Sequence, residues 1–460
     1  MYQTLSLIRQ HTDTSYVRKL FAIALPIALQ SMLFSSRGLV DVLMLGQLGE
    51  SEIAAIGIAS RAMFVTTIML VGVTTGGALL TAQYWGAGNR KGVTESTALT
   101  WVMSMLVALF TVLVFWLFPT QIMQVATDSE QIVALGKDYI VITALGMLNV
   151  ACVASMAVGL RAVHQPGLST FFSAIGIGSN VILNWMLIFG HWGAPKMGIQ
   201  GAAWATLISG WIEVACLFIY LYAKQHLLAF RLGDLVATFR LDRISRFVKL
   251  SLPTTLNFLA WAGGLFAYHA IMGQTGVQGL AALSVMTPVE SISLAFLIGL
   301  SNAAAVLVGN QLGAKEYDSV YYRAYGIIVI NVVIGLVMAA VLYASQFYIL
   351  QAFPALTDET RELSNKFMLI LSLGIVLRSV PMTAIVGVLR AGGDVKFCLY
   401  QDLFAQWVVG IPVAALAAIG FGAAPEFVYL LFLTEEVIKW VGSLYRMKSK
   451  KWMNNLIEGS

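Results

Sequence analysis

Of the 460 residues in this chain, 58% are hydrophobic and 11% charged. That balance leaves too little polar side chain to cover a water-soluble fold, so the bilayer is the fitting solvent. The formal net charge of +5 is carried by Lys and Arg in the connections between apolar stretches, which reads as a topogenic bias and argues against nucleic acid as a partner.

Taken in chain order, runs of about 20 apolar residues, the length needed to cross ~30 Å of hydrocarbon, fall at 20–45, 53–83, 95–118, 131–160, 166–190 and 198–223. A basic linker over 224–246 follows, and a second set falls at 247–272, 279–310, 321–346, 363–389, 396–420 and 425–446. Twelve spans are therefore expected. Basic residues cluster before the first span (Arg9, Arg18, Lys19) and in every second connection: Arg90 and Lys91, Arg161, the linker, Lys315 with Arg323, Arg390 with Lys396, and the tail from Arg446 to Lys451. Both termini are expected on the cytoplasmic side of the cell's inner membrane. The first span is too long for a signal-peptide core, so no cleavable leader is expected. Cys152, Cys216 and Cys398 all lie in spans, and no disulfide is expected.

The chain repeats itself. Leu25-Pro26 with Gly46-Gln47 and Gly49 recurs as Leu252-Pro253 with Gly273-Gln274 and Gly276, an offset of 227 residues. Gly86-Ala87 recurs as Gly313-Ala314 at the same offset, and Leu160-Arg161-Ala162 recurs as Leu389-Arg390-Ala391 at 229. Each copy holds six spans, an even number, so the copies enter the membrane in the same sense and form parallel repeats. The expected organisation is an all-α membrane protein with an N-terminal lobe (1–223), a cytoplasmic linker (224–246) and a C-terminal lobe (247–460).

Nucleotide-driven transport is disfavoured, because Gly86-Ala-Gly-Asn-Arg-Lys-Gly92 imitates a P-loop in the wrong order and after a membrane helix. No metal-ligand or nucleophile motif is present in the sequence, and neither cofactor nor metal is expected. Attention falls on ionisable residues inside spans, where a charge is costly unless paired or hydrated: Arg37, Asp41, Arg61, Glu213, Glu290, Arg378, Asp402, Glu435 and Glu436. Gln30, Phe34, Arg37 and Asp41 share one helix face. Asp41 is read as the one carboxylate of that face, although a local pair with Arg37 or contact with headgroups would also account for it. Asn180 and Asn184, four residues apart, share a face of the fifth span. The equivalents of Gln30, Phe34, Arg37 and Asp41 in the second copy are Asn257, Trp261, Gly264 and Tyr268, and those of the two asparagines are Val409 and Val413. The polar equipment is therefore expected to concentrate in the N-terminal lobe, with Tyr268 tolerating loss of its hydroxyl and Glu290 pairing with Arg378 for structure.

With these residues in place the chain resembles the multidrug and toxic compound extrusion (MATE) family along nearly its full length. The resemblance is carried by Pro26 to Gly49, by Gln83-Tyr-Trp-Gly-Ala-Gly88, by Gly159-Leu-Arg-Ala162 with its counterpart at Gly387 to Gly393, by Asn180 to Gly190 and by Gly201-Ala-Ala-Trp-Ala-Thr206. It implies a V-shaped antiporter that exports cationic, often aromatic compounds in exchange for protons or sodium ions by alternating access. Residue by residue it places the family's cation site on Asp41, Asn180, Asn184 and Thr206, with Gln30, Arg37 and Pro26 in support and Glu290, Arg378 and Tyr268 as C-lobe candidates. The chain departs from the family at Asn184, where many members carry Asp, and the seventh and tenth spans, where the sodium-linked branch places acids, offer only His269 and Arg378. Protons are favoured as the coupling ion, since a hard cation wants several charged oxygens; sodium stays open. The expected partners are drug-like small-molecule cations and the lipid bilayer, with the chain acting as a monomer. A lipid-linked oligosaccharide flippase and a membrane-embedded enzyme are the remaining alternatives.

Overall fold

The structure, a computed structural model, describes residues 2–45, 48–351, 353 and 356–458, with side chains at all of these except 2–5, 35–43 and 50. Among them the chain is helical throughout. The first copy holds α1 (Tyr2–His11), α2 (Thr14–Leu45), α3 (Glu50–Gly86), α4 (Arg90–Leu117), α5 (Pro119–Gln124), α6 (Glu130–Ala144), α7 (Gly146–Ala162), α8 (Pro166–Phe189) and α9 (Ile199–Ala223). The linker contains the short α10 (Leu232–Thr238). The second copy holds α11 (Leu241–Gly273), α12 (Val277–Gly313), α13 (Tyr317–Gln351), α14 (Asp358–Pro381), α15 (Val395–Leu403), α16 (Ile411–Ala415), α17 (Pro425–Leu431) and α18 (Thr434–Lys448).

Among the described residues, ten helical segments are long and apolar enough to cross a membrane. The remaining two of the twelve are α11 and the pair α17 and α18. They are less apolar because α11 carries Thr254, Thr255 and Asn257 and α18 carries Glu435, Glu436 and Lys439. Several spans are not single regular helices. The one at 131–160 is α6 and α7 joined at Leu145, and the one at 396–420 alternates α15 and α16 with π-helical segments at Phe404–Gly410 and Leu416–Gly420. A further π segment, Met382–Leu389, follows Pro381. Pro381 has no N–H to give the Leu377 carbonyl, and the Trp440 indole supplies that bond at 2.5 Å.

The repeat is present in the backbone. The two 37-residue helices α3 and α12 begin and end at equivalent positions. Left-handed residues recur as well: Gly88 (φ 72°) matches Lys315 (φ 62°), and His164 (φ 62°) matches Gly393 (φ 78°). The tight turns that end these helices demand that conformation whatever the side chain, and Lys315 and His164 adopt it at a strain that glycine avoids.

Two compact units result, one of Met1–Ser31 with Leu259–Ser460, the other Met32–Phe258. The linker separates the sequence copies, whereas packing divides the chain inside α2 and α11. One contact made twice explains the difference. A Cβ on Gly72 of α3 would lie 2.4 Å from Thr255 Cα of α11, and a Cβ on Gly299 of α12 would lie 2.8 Å from Ala28 Cβ of α2. Gly72 and Gly299 are repeat equivalents, as are Ala28 and Thr255. Without a side chain, each glycine lets the first half of one copy's leading helix lie directly on the other copy's second span, much as small residues do wherever membrane helices approach closely. The outer faces are apolar, as on α4, where Leu106, Leu109, Phe110 and Leu113 are exposed.

At the linker, His226 is held in one tautomer. Its Nδ1 accepts from the Leu228 N–H at 3.2 Å, so Nε2 carries the proton and donates to Gln165 Oε1 at 3.0 Å. Burial pulls the imidazole below its ordinary value of 6.5. Because the folded value is depressed, the neutral ring contributes in full above about pH 6.5, and that contribution is lost as acidification protonates it.

Two predictions follow from this packing. Gly72→Leu and Gly299→Leu should each lower the thermal midpoint of the detergent-solubilised protein by an overpacking cost of about 1–3 kcal/mol or more, while Gly57→Leu, with no atom within 4 Å of its Cβ, should leave it unchanged. His226→Gln should flatten the loss of thermal stability between about pH 7 and pH 5 relative to the parent, because it removes the group that must be protonated there.

Candidate functional site

Helix α8 starts with Pro166 at its first position and ends at Gly190 in the left-handed conformation, the common pairing of a preset entry and an unhindered exit. Its buried stripe runs through Ser169, Ser173, Gly176, Asn180, Asn184 and Ile188, a 3.6-residue period that points one face at α9. α9 answers with Gly201, Ala202, Ala203 and Ala205. These are small enough that a Cβ on Gly201 would lie 2.4 Å from the Leu187 carbonyl oxygen.

This close seam brings Asn180, Asn184 and Thr206 together. Asn184 Nδ2 donates to Asn180 Oδ1 at 3.4 Å, and Asn180 Nδ2 donates to Thr206 Oγ1 at 3.5 Å. Both asparagines are almost fully buried. The contacts are longer than the usual range of about 2.7–3.2 Å. Asp41 and Arg37 lie in helical backbone of α2, and their side chains are outside the described residues. Gln30 and Pro26 belong to the other compact unit, where Gln30 is buried and α2 runs on through Pro26.

Asp41 is the one carboxylate expected on its face of α2; Glu213, which the sequence also places inside a span, lies on α9. Glu213, seven residues beyond Thr206 on α9, is buried in the same seam and accepts from Ser173 Oγ at 2.8 Å. Its reach is set by Gly176, whose Cβ would meet Glu213 Oε2 at 2.5 Å. Asn149 of α7 joins from the side, donating to the Leu207 carbonyl at 3.1 Å. The sequence carried a signal for Glu213, which lies two turns from Thr206 just as Ser173 lies two turns from Asn180, in the opposite chain direction that antiparallel packing requires.

The other unit carries buried charge at the ionisable residues expected inside its spans, the expected Glu290 and Arg378 pair among them. Arg378 of α14 pairs with Glu290 of α12, and its Nε lies 3.4 Å from Glu436 Oε1 of α18. Lys439 sits between Glu435 (3.4 Å) and Asp402 (3.9 Å), and Arg390 lies 3.9 Å from Asp402. Four carboxylates thus meet three cations, and the surplus is met by a phenol: Tyr268 donates its hydroxyl to Glu435 Oε2 at 2.7 Å. Tyr268 thus acts as a hydrogen-bond donor inside the cluster. Lys439 was missed because a lone lysine near a span end reads as a boundary residue, though its i, i+4 spacing from Glu435 is the signature of a helical ion pair.

Removing the phenol leaves a buried carboxylate short of a donor. Tyr268→Phe should lower thermal stability by about 1–3 kcal/mol, and Tyr268→Phe combined with Glu435→Gln should lose less than the sum of the single variants in a double-mutant cycle.

Comparison with known proteins matches the MatE family model to residues 26–186 and 253–416, two segments whose starts are separated by the repeat offset. The uncharacterized transporter YisQ of Bacillus subtilis (strain 168) is 22% identical over 441 residues, spanning 94% of both chains. A probable multidrug resistance protein NorM of Agrobacterium fabrum is 26% identical over 396 residues, or 83% of both. Among solved structures, the outward-facing conformation of a multidrug resistance MATE family transporter of the MOP superfamily shares the fold with a TM-score of 0.86 at 16% identity, covering 94% of this chain and 96% of that one. The eukaryotic MATE transporter AtDTX14 does so at 0.83 and 20%, covering 96% and 97%. With two matched segments that together take up more than half of its length, the chain belongs to the MatE family of multi-pass membrane transporters.

Proposed function

We propose that this transporter is an efflux antiporter, exporting cationic, often aromatic drug-like compounds in exchange for protons as it alternates between inward-open and outward-open states in the inner membrane, with both termini cytoplasmic. The observation that carries the reading is the row formed by the buried Asn184 and Asn180 with Thr206 between α8 and α9, in a chain of this family. Relatives named as probable multidrug resistance proteins support the substrate class.

In this reading Asp41 exchanges the proton. Amide donors from Asn180 and Asn184 favour its charged form; protonation removes what they hold, and the first helix is released to move. Pro26 interrupts the hydrogen-bond ladder of α2 and gives that movement a place to bend. Protons suit the row of Asn184, Asn180 and Thr206 better than sodium, because its amide and hydroxyl oxygens offer a hard cation little negative charge and Glu213 is engaged with Ser173 instead, whereas a single carboxylate suffices for a proton.

The test is efflux of a cationic dye from sodium-free proteoliposomes under an imposed pH gradient, with proton release recorded alongside. Efflux should run on the gradient alone. Asp41→Asn should abolish it with normal insertion, and Asn180→Ala should slow it by about tenfold or more, the scale of a lost hydrogen bond to a charged group. Dye efflux that requires sodium, or that survives Asp41→Asn, would overturn the assignment.

A further inference from the structure

The linker between α9 and α11 displays an apolar face that its own packing does not use. Leu235 packs into the core beside Phe230, and Thr238 is fully buried, so one side of α10 is held against α4. Leu232, Val236 and Phe239, at i, i+4 and i+7, line the opposite side and are 80%, 71% and 65% exposed, and Leu241 just beyond is 86% exposed. Arg231, beside Leu232, and Arg240, between Phe239 and Leu241, are exposed with them. Over 224–249 six Lys or Arg stand against two Asp.

The position of this face fixes what it meets. Both ends of the linker continue into membrane helices, and its middle is tied to the first turns of α4, where Thr94 Oγ1 donates to the Leu227 carbonyl at 2.8 Å and Arg243 pairs with Glu95. The segment is thereby held beside the start of α4 and the end of α9, the ends of two helices long and apolar enough to cross a membrane. Four large apolar side chains edged by arginines at that depth suit the acyl and headgroup boundary, not open water.

We propose that residues 231–241 form an interfacial anchor, with Leu232, Val236, Phe239 and Leu241 seated in the leaflet boundary and Arg231 and Arg240 engaging anionic phospholipid headgroups. The occupant is the bilayer; a protein partner or a second copy of the chain is a competing outcome.

A single label decides this. In a background with Cys152, Cys216 and Cys398 replaced, Val236→Cys is coupled to an environment-sensitive fluorophore and placed in nanodiscs holding one copy of the protein, made of phosphatidylcholine alone or mixed with phosphatidylglycerol. Blue-shifted emission, quenched by shallow nitroxide lipids and shielded from aqueous iodide, is expected in both. Phosphatidylglycerol should be enriched around the parent, and Arg231→Gln and Arg240→Gln should each reduce that preference about fivefold. Water-like emission open to iodide overturns the anchor, as does shielding that appears only when further copies or other proteins are added. A lipid preference indifferent to both arginines overturns the headgroup assignment. Because the readout needs no transport, its failure is separate from failure of the efflux reading.

Discussion

Hydrocarbon offers no hydrogen bonds, so every polar group that this chain carries to depth must find its partner on the chain itself. That constraint explains why the two compact units are built around side-chain pairings and not around apolar packing alone. In one, Glu290, Arg378 and Glu436 form a chain of opposite charges, and Glu435, Lys439, Asp402 and Arg390 form another, completed by the Tyr268 hydroxyl. In the other, Ser173 with Glu213 ties α8 to α9 and Asn149 with the Leu207 carbonyl ties α7 to α9. A buried ion pair is weak evidence of net stability, since desolvation offsets much of the attraction, but losing one partner is costly. The clusters therefore act as tethers that fix helix position.

Small residues make those tethers reachable. Gly176 admits the Glu213 carboxylate, Gly201 brings α9 onto the backbone of α8, and Gly264 admits Gln406. Gly72 and Gly299 do the same for whole helices, letting the leading helix of each copy lie on the second span of the other. The leading helices α2 and α11 are continuous elements that each contribute residues to both compact units. α2 is such an element, with Pro26 on one side of the division and Asp41 on the other.

The repeat and the spans were legible because both are local. Hydrophobic run length sets the spans, and glycine and proline at fixed offsets mark the turns. The pairing of Asn180 with Asn184 was legible for the same reason, since four residues make one face. What the sequence hid is long-range. Tyr268 and Glu435 are 167 residues apart, Ser173 and Glu213 are 40 apart, and no periodicity within one helix announces a partner on another. The exchange of α2 and α11 between units was hidden because Gly72 and Gly299 read as ordinary membrane-helix glycines until their neighbours are known. The breaks at Met382–Leu389 and Phe404–Gly410 had half a signal, Pro381, while the indole that compensates for it comes from Trp440 on another span.

The two copies agree in backbone and disagree in side chains, and the disagreement has a direction. Positions that set turns, helix lengths and close approach are matched, down to left-handed residues that keep their conformation when glycine becomes lysine or histidine. Buried polarity is matched at some positions, as at Gln30 and Asn257 or Thr74 and Ser301, and unmatched at others: the amide row of α8 has no counterpart at Val409 and Val413, and the ionic cluster around Arg378 has none among the described residues of the first copy. Geometry is what the two copies share most fully, and buried polarity is where they differ. The first copy holds its amides of α8 in a row with Thr206, whereas in the second Arg378 and Lys439 each hold two carboxylates. The two copies thus meet the same demand for buried partners by different chemistry within a fold that is the same twice.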